Sequence, residues 1–513
     1  MTFFISFWQR LIDPVDRFLD RLTTYRLMLY YLYVLVGAAA VAALFHKVPY
    51  RWYEVLLAAG WLVVVCRVAN FWLAERFSVP KNKESELITA LILALILSPI
   101  TSPKSALILA AAGTVAMASK YLLVINRWHI FNPAAVGAYA VGATLHAYPS
   151  WWVGTAYLTP VVIAGGILIM RKMKRFIMAA VFISLYLAIL AFTVYLNQSG
   201  SAVPHNLWIA LSASPLLFFA YVMFLEPLTS PRYAQNYLPY AVLVASLYGF
   251  TKLGVSPEEA LLVGNLFTYL VEPNRRVALK FVRKVKEAEG IESFMFSGKQ
   301  GIKFNPGQYL EWTIPQTNAD ARGNRRYFTI SSSPTEKGLM LTARIPEPSS
   351  SFKSHLAHLK KGDEVLAAQL AGTFTLPKSD KQKMAFLAGG VGITPFRSMV
   401  KYLLDFDQPR PIELLYSANI PEDLAFRDLF KDAEKVGLRT HYTITDTQES
   451  HPGWHGRRGL ISKEMIAEVI PDWAERIFYI SGPYGFVFAT RQTLLSLGVP
   501  SRQIKSDYFP GYG

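Results

Sequence analysis

The chain has 513 residues, 52% of them hydrophobic and only 17% charged, with a formal net charge of +16. That length exceeds one ordinary domain, and the single cysteine, Cys66, excludes a disulfide framework and a four-cysteine iron–sulfur cluster. The positive charge sits in short loops and at the flanks of apolar segments, so membrane orientation explains it and no nucleic-acid partner is expected.

Residues 1–26 alternate Phe3, Phe4, Phe7, Trp8, Leu11 and Phe18 with Arg10, Asp16, Arg17 and Arg21, which predicts an amphipathic helix lying in a lipid interface. Apolar runs follow at 27–45, 53–74, 86–99, 105–125, 133–147, 151–170, 176–196, 206–225, 237–251 and 259–272, which predicts about ten spans in a transmembrane domain over 27–275. With both termini inside, the inner loops carry Arg76, Lys81, Lys83, Lys120, Arg127, Arg171, Lys172, Lys174, Arg175 and Arg232. The outer loops carry only Lys47, Arg51, Lys104 and Lys252. The basic run Arg275–Lys286 then leaves the last span on the cytoplasmic face of an inner (plasma) membrane. Trp151 and Trp152 fall at an outer boundary, as interfacial aromatics do.

Two segments of this half resemble each other. Ser98-Pro99-Ile100-Thr101-Ser102-Pro103-Lys104 ends the third run, and Glu226-Pro227-Leu228-Thr229-Ser230-Pro231-Arg232 ends the eighth, with Pro99 and Pro227 offset by 128 residues. Five spans lie between equivalent points, and an odd number inverts the second copy. An inverted-topology repeat with broken helices is therefore expected. The histidines His46, His129, His146 and His205 all fall at or near span ends, and no two share a helix at a spacing that would stack haems, so haem is disfavoured.

From 277 the chain reads as a soluble protein. Short alternating strands at Ile291–Ser297, Gln308–Ile314, Tyr327–Ser331, Leu339–Ile345 and Glu364–Ala368 predict a small β-barrel over 277–377. Within it, Arg326-Tyr327-Phe328-Thr329-Ile330-Ser331-Ser332-Ser333-Pro334 combines what a flavin needs. The arginine offers a planar fork to a pyrophosphate, an aromatic packs on the flat ring system, and a hydroxyl reaches a ring nitrogen. From 380 to 513, strands at Ala385–Ala388, Ile412–Tyr416, Arg439–Ile444 and Ile477–Ile480 alternate with helices and predict a parallel α/β domain. Its first strand runs into Gly389-Gly390-Val391-Gly392-Ile393-Thr394-Pro395-Phe396, a glycine turn before a helix that suits a dinucleotide pyrophosphate. Ser481-Gly482-Pro483-Tyr484 ends a later strand.

In this order the motifs resemble the ferredoxin–NADP reductase superfamily across 277–513. The resemblance implies that Arg326, Tyr327, Phe328, Thr329 and Ser332 contact FAD, and that Arg344, Ser351, Phe352 and Lys353 lie by its pyrophosphate. It further implies that Gly390, Gly392, Thr394 and Pro395 cradle NADPH or NADH, while Gly482, Pro483, Tyr484 and the late aromatic Phe509 lie by the nicotinamide and flavin. Ser481 stands where that family usually has cysteine. Thr329 and Ser481 are the candidate catalytic positions, Thr329 as an orienter. Ser417-Ala418-Asn419 leaves NADH versus NADPH open.

The membrane half resembles a second family. Ser85-Glu86-Leu87-Ile88-Thr89-Ala90-Leu91, Trp128-His129-Ile130-Phe131-Asn132-Pro133-Ala134-Ala135 and Phe224-Leu225-Glu226-Pro227 are similar to the membrane-embedded flavoproteins of the sodium-pumping NADH:quinone oxidoreductase and of the Rnf complex. That resemblance implies ten spans in two inverted halves and a flavin site by Thr89, Asn132 and Pro133. The family's Ser-Gly-Ala-Thr attachment loop is missing, so FMN or riboflavin would be held non-covalently. The two resemblances together imply a membrane-bound NAD(P)H-dependent flavin oxidoreductase that carries electrons through FAD and a membrane flavin to an extracytoplasmic acceptor. The alternative is an NAD(P)H:quinone oxidoreductase coupled to ion translocation, with membrane lipid and quinone as partners.

Overall fold

A computed structural model describes residues 14–15, 18–19, 22–77, 83–125, 128–198, 200–250, 254–273, 276–298, 302–316, 320, 323–446, 451 and 453–509. Of the interfacial helix expected over 1–26, residues 1–13, 16–17 and 20–21 lie outside the described residues. The chain forms two compact units, Met1–Arg275 and Arg276–Gly513.

The first unit is helical: α1 (Thr24–Leu44), α2 (Trp52–Arg76), α3 (Lys83–Ile96), α4 (Pro103–Leu122), α5 (Pro133–Leu145), α6 (Thr159–Met173), α7 (Phe176–Asn197), α8 (Val203–Ser212), α9 (Leu216–Phe218, continuing as the π-helical turn Phe219–Met223), α10 (Tyr237–Gly249) and α11 (Pro257–Val271). Every predicted apolar run contains a helix, but among the described residues only α1, α2, α4 and α7 are long and apolar enough to cross a membrane. A fifth is reached if α8 and α9, bent by 52°, count as one span. The expectation of about ten spans is not met by length. The reason is geometric: the 14 residues of α3 reach about 21 Å at 1.5 Å per residue, short of a hydrocarbon core of roughly 30 Å. The outward faces of the long helices stay apolar, with Val34, Leu57, Trp72 and Ile177 exposed, which suits a lipid surround better than water.

The second half of α3 and the whole of α9 are apolar on all sides and buried in protein: every residue from Ala90 to Leu97, and from Leu216 to Leu225, lies inside the unit. Ser98-Pro99 and Glu226-Pro227 follow their ends. Carbonyls freed there need donors. Trp152 Nε1 donates to Ala94 O at 3.1 Å and Leu97 O at 3.0 Å, and Trp151 N donates to Ile96 O at 2.9 Å. For the second short helix, Arg175 Nη1 donates to Leu225 O at 3.2 Å. Trp151 and Trp152 are therefore buried caps of a broken helix and not interfacial anchors, because their N–H groups satisfy carbonyls that no water reaches. The order of elements repeats: two helices, a short buried one, then two more, with α8 added ahead of the second short one. In the first copy α2 packs on α4, and in the second α7 packs on α10.

The second unit holds two six-stranded sheets. The antiparallel barrel is built from β1 (Val277–Ala288), β2 (Ile291–Ser297), β3 (Tyr309–Thr313), β4 (Arg325–Thr329), β5 (Leu339–Arg344) and β6 (Glu364–Ala371) in the order β4-β3-β6-β1-β2-β5. A bridge from Ile330 to Leu341 ties its two ends, and Phe294, Phe296, Trp312 and Phe352 fill it. The parallel sheet is built from β7 (Met384–Gly389), β8 (Ile412–Ala418), β9 (Leu438–Ile444), β10 (Arg457–Arg458), β11 (Ile477–Pro483) and β12 (Ile504–Phe509) in the order β10-β9-β8-β7-β11-β12. The basic run after the last span is mostly the 12-residue strand β1. Its apolar–polar alternation is concealed because a bulge between Phe281 and Arg283 shifts the facing of everything beyond it.

Candidate functional site

On β4, Arg326 is buried while Tyr327 is exposed, because successive side chains of a strand point to opposite faces. The Arg326 guanidinium lies 5.5 Å from the Phe352 ring centre, and Phe328 stacks on the same ring at 5.7 Å. Arg326 Nη1 donates to Gly323 O at 3.2 Å and to Arg325 O at 2.7 Å, and Nη2 donates to Asp320 Oδ1 at 3.4 Å. Phe352 belongs to the short helix α12 (Ser351–Ala357), whose N-cap Ser350 accepts from Lys353 N. Arg326, Phe328, Ser351, Phe352 and Lys353 are thus brought together. Tyr327 is not: its hydroxyl donates to Gln369 Oε1 at 2.8 Å and reaches Glu311 Oε2 at 3.2 Å. Arg344 is likewise directed elsewhere, forming a 2.7 Å ion pair with the buried Asp423 after β8. That pair ties the barrel to the segment after β8.

The Thr329 hydroxyl is buried and has no hydrogen-bond partner among the described residues, and the same is true of the Ser481 hydroxyl. Ser331 and Thr440 carry buried hydroxyls in the same condition, so it is their positions at the flavin and nicotinamide motifs that let ligands supply the partners Thr329 and Ser481 lack. Ser332 Oγ accepts from Met340 N at 3.0 Å, which makes it a turn-former.

The glycine turn after β7 and the end of β11 meet. Ser481 is in register with Ala388, and a Cβ on Gly392 would come within 2.2 Å of Ser481 O and 2.5 Å of Gly482 Cα. Gly390 takes a left-handed φ of +53° with open space around its Cβ position, leaving the backbone bare where a pyrophosphate would approach. Thr394 and Pro395 are buried at the start of α13 (Thr394–Asp405). The helix α14 (Tyr484–Ser496) begins at Tyr484, which stacks on Phe488 at 6.0 Å. The backbone of Phe509 pairs with Pro483, placing the last strand beside the same turn.

Sequence reasoning did not find the residues that join the two sheets. Ser398 Oγ donates to Ser332 O at 2.7 Å, Arg397 Nη1 to Ser331 O at 3.2 Å, and Arg397 Nη2 to Glu336 Oε1 at 3.0 Å. These bonds fix α13 to the turn that follows β4. Nothing in a single sequence pairs Ser398 with Ser332, 66 residues apart.

In the helical unit, Thr89, Asn132 and Pro133 line one cavity together with Ser85, Glu226 and Pro227. Asn132 Oδ1 caps α5 by accepting from Ala135 N at 3.1 Å, and its Nδ2 donates to Glu226 Oε2 at 2.8 Å. Thr229 Oγ1 also donates to Glu226 Oε2, at 2.9 Å, and Asn132 N donates to Asn265 Oδ1 at 2.8 Å. Asn265 escaped sequence reasoning, although a lone asparagine inside the apolar α11 was its signal.

Residues 386–492 match the sequence model of the oxidoreductase NAD-binding domain family. The glycine betaine monooxygenase reductase subunit of Chromohalobacter salexigens is 29% identical over 242 residues, covering 46% of this chain and 65% of that protein. A flavohemoprotein of Bacillus cereus is 29% identical over 240 residues, covering 44% of this chain and 59% of that protein. The chain therefore spans less than two thirds of the length of these two relatives. Among solved structures, an Amycolatopsis cytochrome P450 reductase aligns with TM-score 0.41 and 22% identity, covering 46% of this chain and 70% of that one. The flavohem-like FAD/NAD-binding domain of a Vibrio cholerae nitric oxide dioxygenase aligns with TM-score 0.40 and 20% identity, covering 45% and 98%.

Proposed function

We propose that the chain is a membrane-bound NAD(P)H-dependent flavin oxidoreductase that passes electrons from cytoplasmic NAD(P)H to an acceptor in or beyond the bilayer. The observation that carries this reading is the pair of buried, unpartnered hydroxyls, Thr329 and Ser481, in the unit whose residues 386–492 match the NAD-binding family. Arg326, Phe328, Ser351 and Lys353 would hold FAD, and Gly390, Gly392, Ser481 and Gly482 would hold the nicotinamide dinucleotide. When bound, FAD supplies the conversion of a two-electron hydride donor into a source of single electrons. The chain's own contribution is alignment and exclusion of water: Thr329 and Ser481 orient their ligands, and the Arg397 and Ser398 bonds keep the two sheets at fixed distance.

The cavity by Thr89, Asn132, Pro133 and Glu226 would hold a non-covalent FMN or riboflavin, making the helical unit a conduit. An arrangement in two inverted halves is part of this proposal, supported by the repeated element order and the two buried half-helices. So is a cytoplasmic placement of both termini and of Arg276–Gly513. One observation favours a second reading, quinone reduction coupled to ion movement: a carboxylate, Glu226, lines the cavity. Sodium-dependent turnover in liposomes would select it.

The test is acid release and chromatography of flavins from the purified full chain. FAD together with FMN or riboflavin, more than one flavin per chain, supports the conduit. FAD alone removes the membrane flavin, and no flavin at all refutes the reading.

A further inference from the structure

The cluster around Arg326 already holds an anion of the chain's own. Asp320 Oδ1 lies 3.4 Å from Arg326 Nη2, Asp320 Oδ2 accepts from Ser351 N at 3.1 Å, and Asp320 N donates in return to Ser351 Oγ at 2.9 Å. The carboxylate thereby uses a guanidinium nitrogen and a backbone amide, the two kinds of donor a diphosphate would use. We propose that Asp320 is a built-in competitor for the phosphate subsite, an acidic latch that must leave Arg326 and Ser351 before the diphosphate of FAD binds there. The inference rests on the assignment of FAD to this cluster made above.

Two physical facts support displacement over sharing. One N–H of Ser351 serves one strong acceptor, so the carboxylate and a phosphate oxygen exclude each other at that atom. A carboxylate left beside a diphosphate would also place like charges a few ångströms apart at a largely buried arginine, where screening is weak. Nor does the contact have the form of a stability device. The Arg326–Asp320 ion pair is long, at 3.4 Å, with Asp320 about a quarter exposed and Arg326 buried, whereas pairs that stabilise are bidentate and short. Arg326 keeps its position without Asp320, through Gly323 O, Arg325 O and the face of Phe352. The latch can open and leave the arginine in place.

The consequence is an FAD site that trades affinity for exchange. Asp320→Asn keeps the size and an acceptor for Ser351 N but removes the charge, and Asp320→Ala removes both. In the full-length protein stripped of flavin and titrated with FAD by fluorescence quenching, both variants are expected to bind FAD about tenfold more tightly than wild type, the scale of one lost charge-assisted bond in competition. FAD dissociation on dilution is expected to slow by a similar factor. Inorganic pyrophosphate is expected to slow FAD uptake at lower concentration in both variants than in wild type. Equal or weaker FAD binding in both variants, with wild type binding FAD, overturns the latch alone. A wild-type chain that takes up no FAD overturns the assignment of the site itself.

Discussion

The meeting of the two turns at Gly392 gives the sharpest test of the soluble site. A Cβ at this position would stand 2.2 Å from Ser481 O, 2.5 Å from Gly482 Cα and 2.5 Å from Ser481 C, all of them backbone atoms. Ordinary contact needs about 3.5 Å or more, so Gly392→Ala must push the turns apart by roughly an ångström. Overpacking of this kind costs about 1–3 kcal/mol, which the parallel sheet can absorb. Hydride transfer cannot, because a displacement near 1 Å lowers rates by about 100-fold. The expected phenotype is a folded protein with its FAD retained and its anaerobic reduction by NADH or NADPH, followed as bleaching of the flavin band in a stopped-flow instrument, slowed about 100-fold. Gly485→Ala is the control, since nothing lies within 4 Å of a Cβ there and alanine suits the first turn of α14. A Gly392→Ala protein that reduces its flavin at the wild-type rate would refute the claim that these turns form one nicotinamide site.

Arg326→Ala is expected to weaken FAD binding by about 1.5–3 kcal/mol, the range for hydrogen bonds to charged groups, and Arg326→Lys to fall between because it keeps charge without the fork; equilibrium dialysis reads both. Asn132→Ala removes the cap of α5 and a donor to Glu226, at about 1 kcal/mol for the cap and about 1–3 kcal/mol for the carboxylate left short of a partner. The melting temperature in detergent is expected to drop, along with any FMN or riboflavin content, while FAD stays. Burial pushes the Tyr479 hydroxyl from 10.0 up to about 12. A folded value raised above the unfolded one gives stability that is complete below about pH 10 and lost as pH rises through about 12. Burial lowers the neighbouring Lys505 ammonium and acts in the opposite sense, so the measure is the difference from Tyr479→Phe, which is expected to flatten the alkaline loss of stability in chemical denaturation. An unchanged slope would refute the assignment.

Local chemistry was legible in the sequence because it depends on neighbours along the chain. The strand from Arg326 to Thr329, the glycine turn at 389–392 and the helix start at Asn132-Pro133 each follow from residue type and spacing. So do the positions of the apolar helices, since 3.6-residue periodicity and apolar content are local properties. Length in the membrane direction was less legible. An apolar run such as 86–99 reads the same whether it crosses a bilayer or ends halfway in the protein interior, and only packing shows that α3 is buried along Ala90–Leu97 with its end capped from Trp152. The sheet register decided that Arg326 and Phe328 share a face that Tyr327 does not. The tertiary structure alone brought Asp423 to Arg344, Glu226 to Asn132, Asp320 to Arg326 and Ser398 to Ser332. These contacts span separations from 6 to 94 residues, and whether two such groups meet is set by chain topology and the exclusion of water, not by any pattern local to either residue.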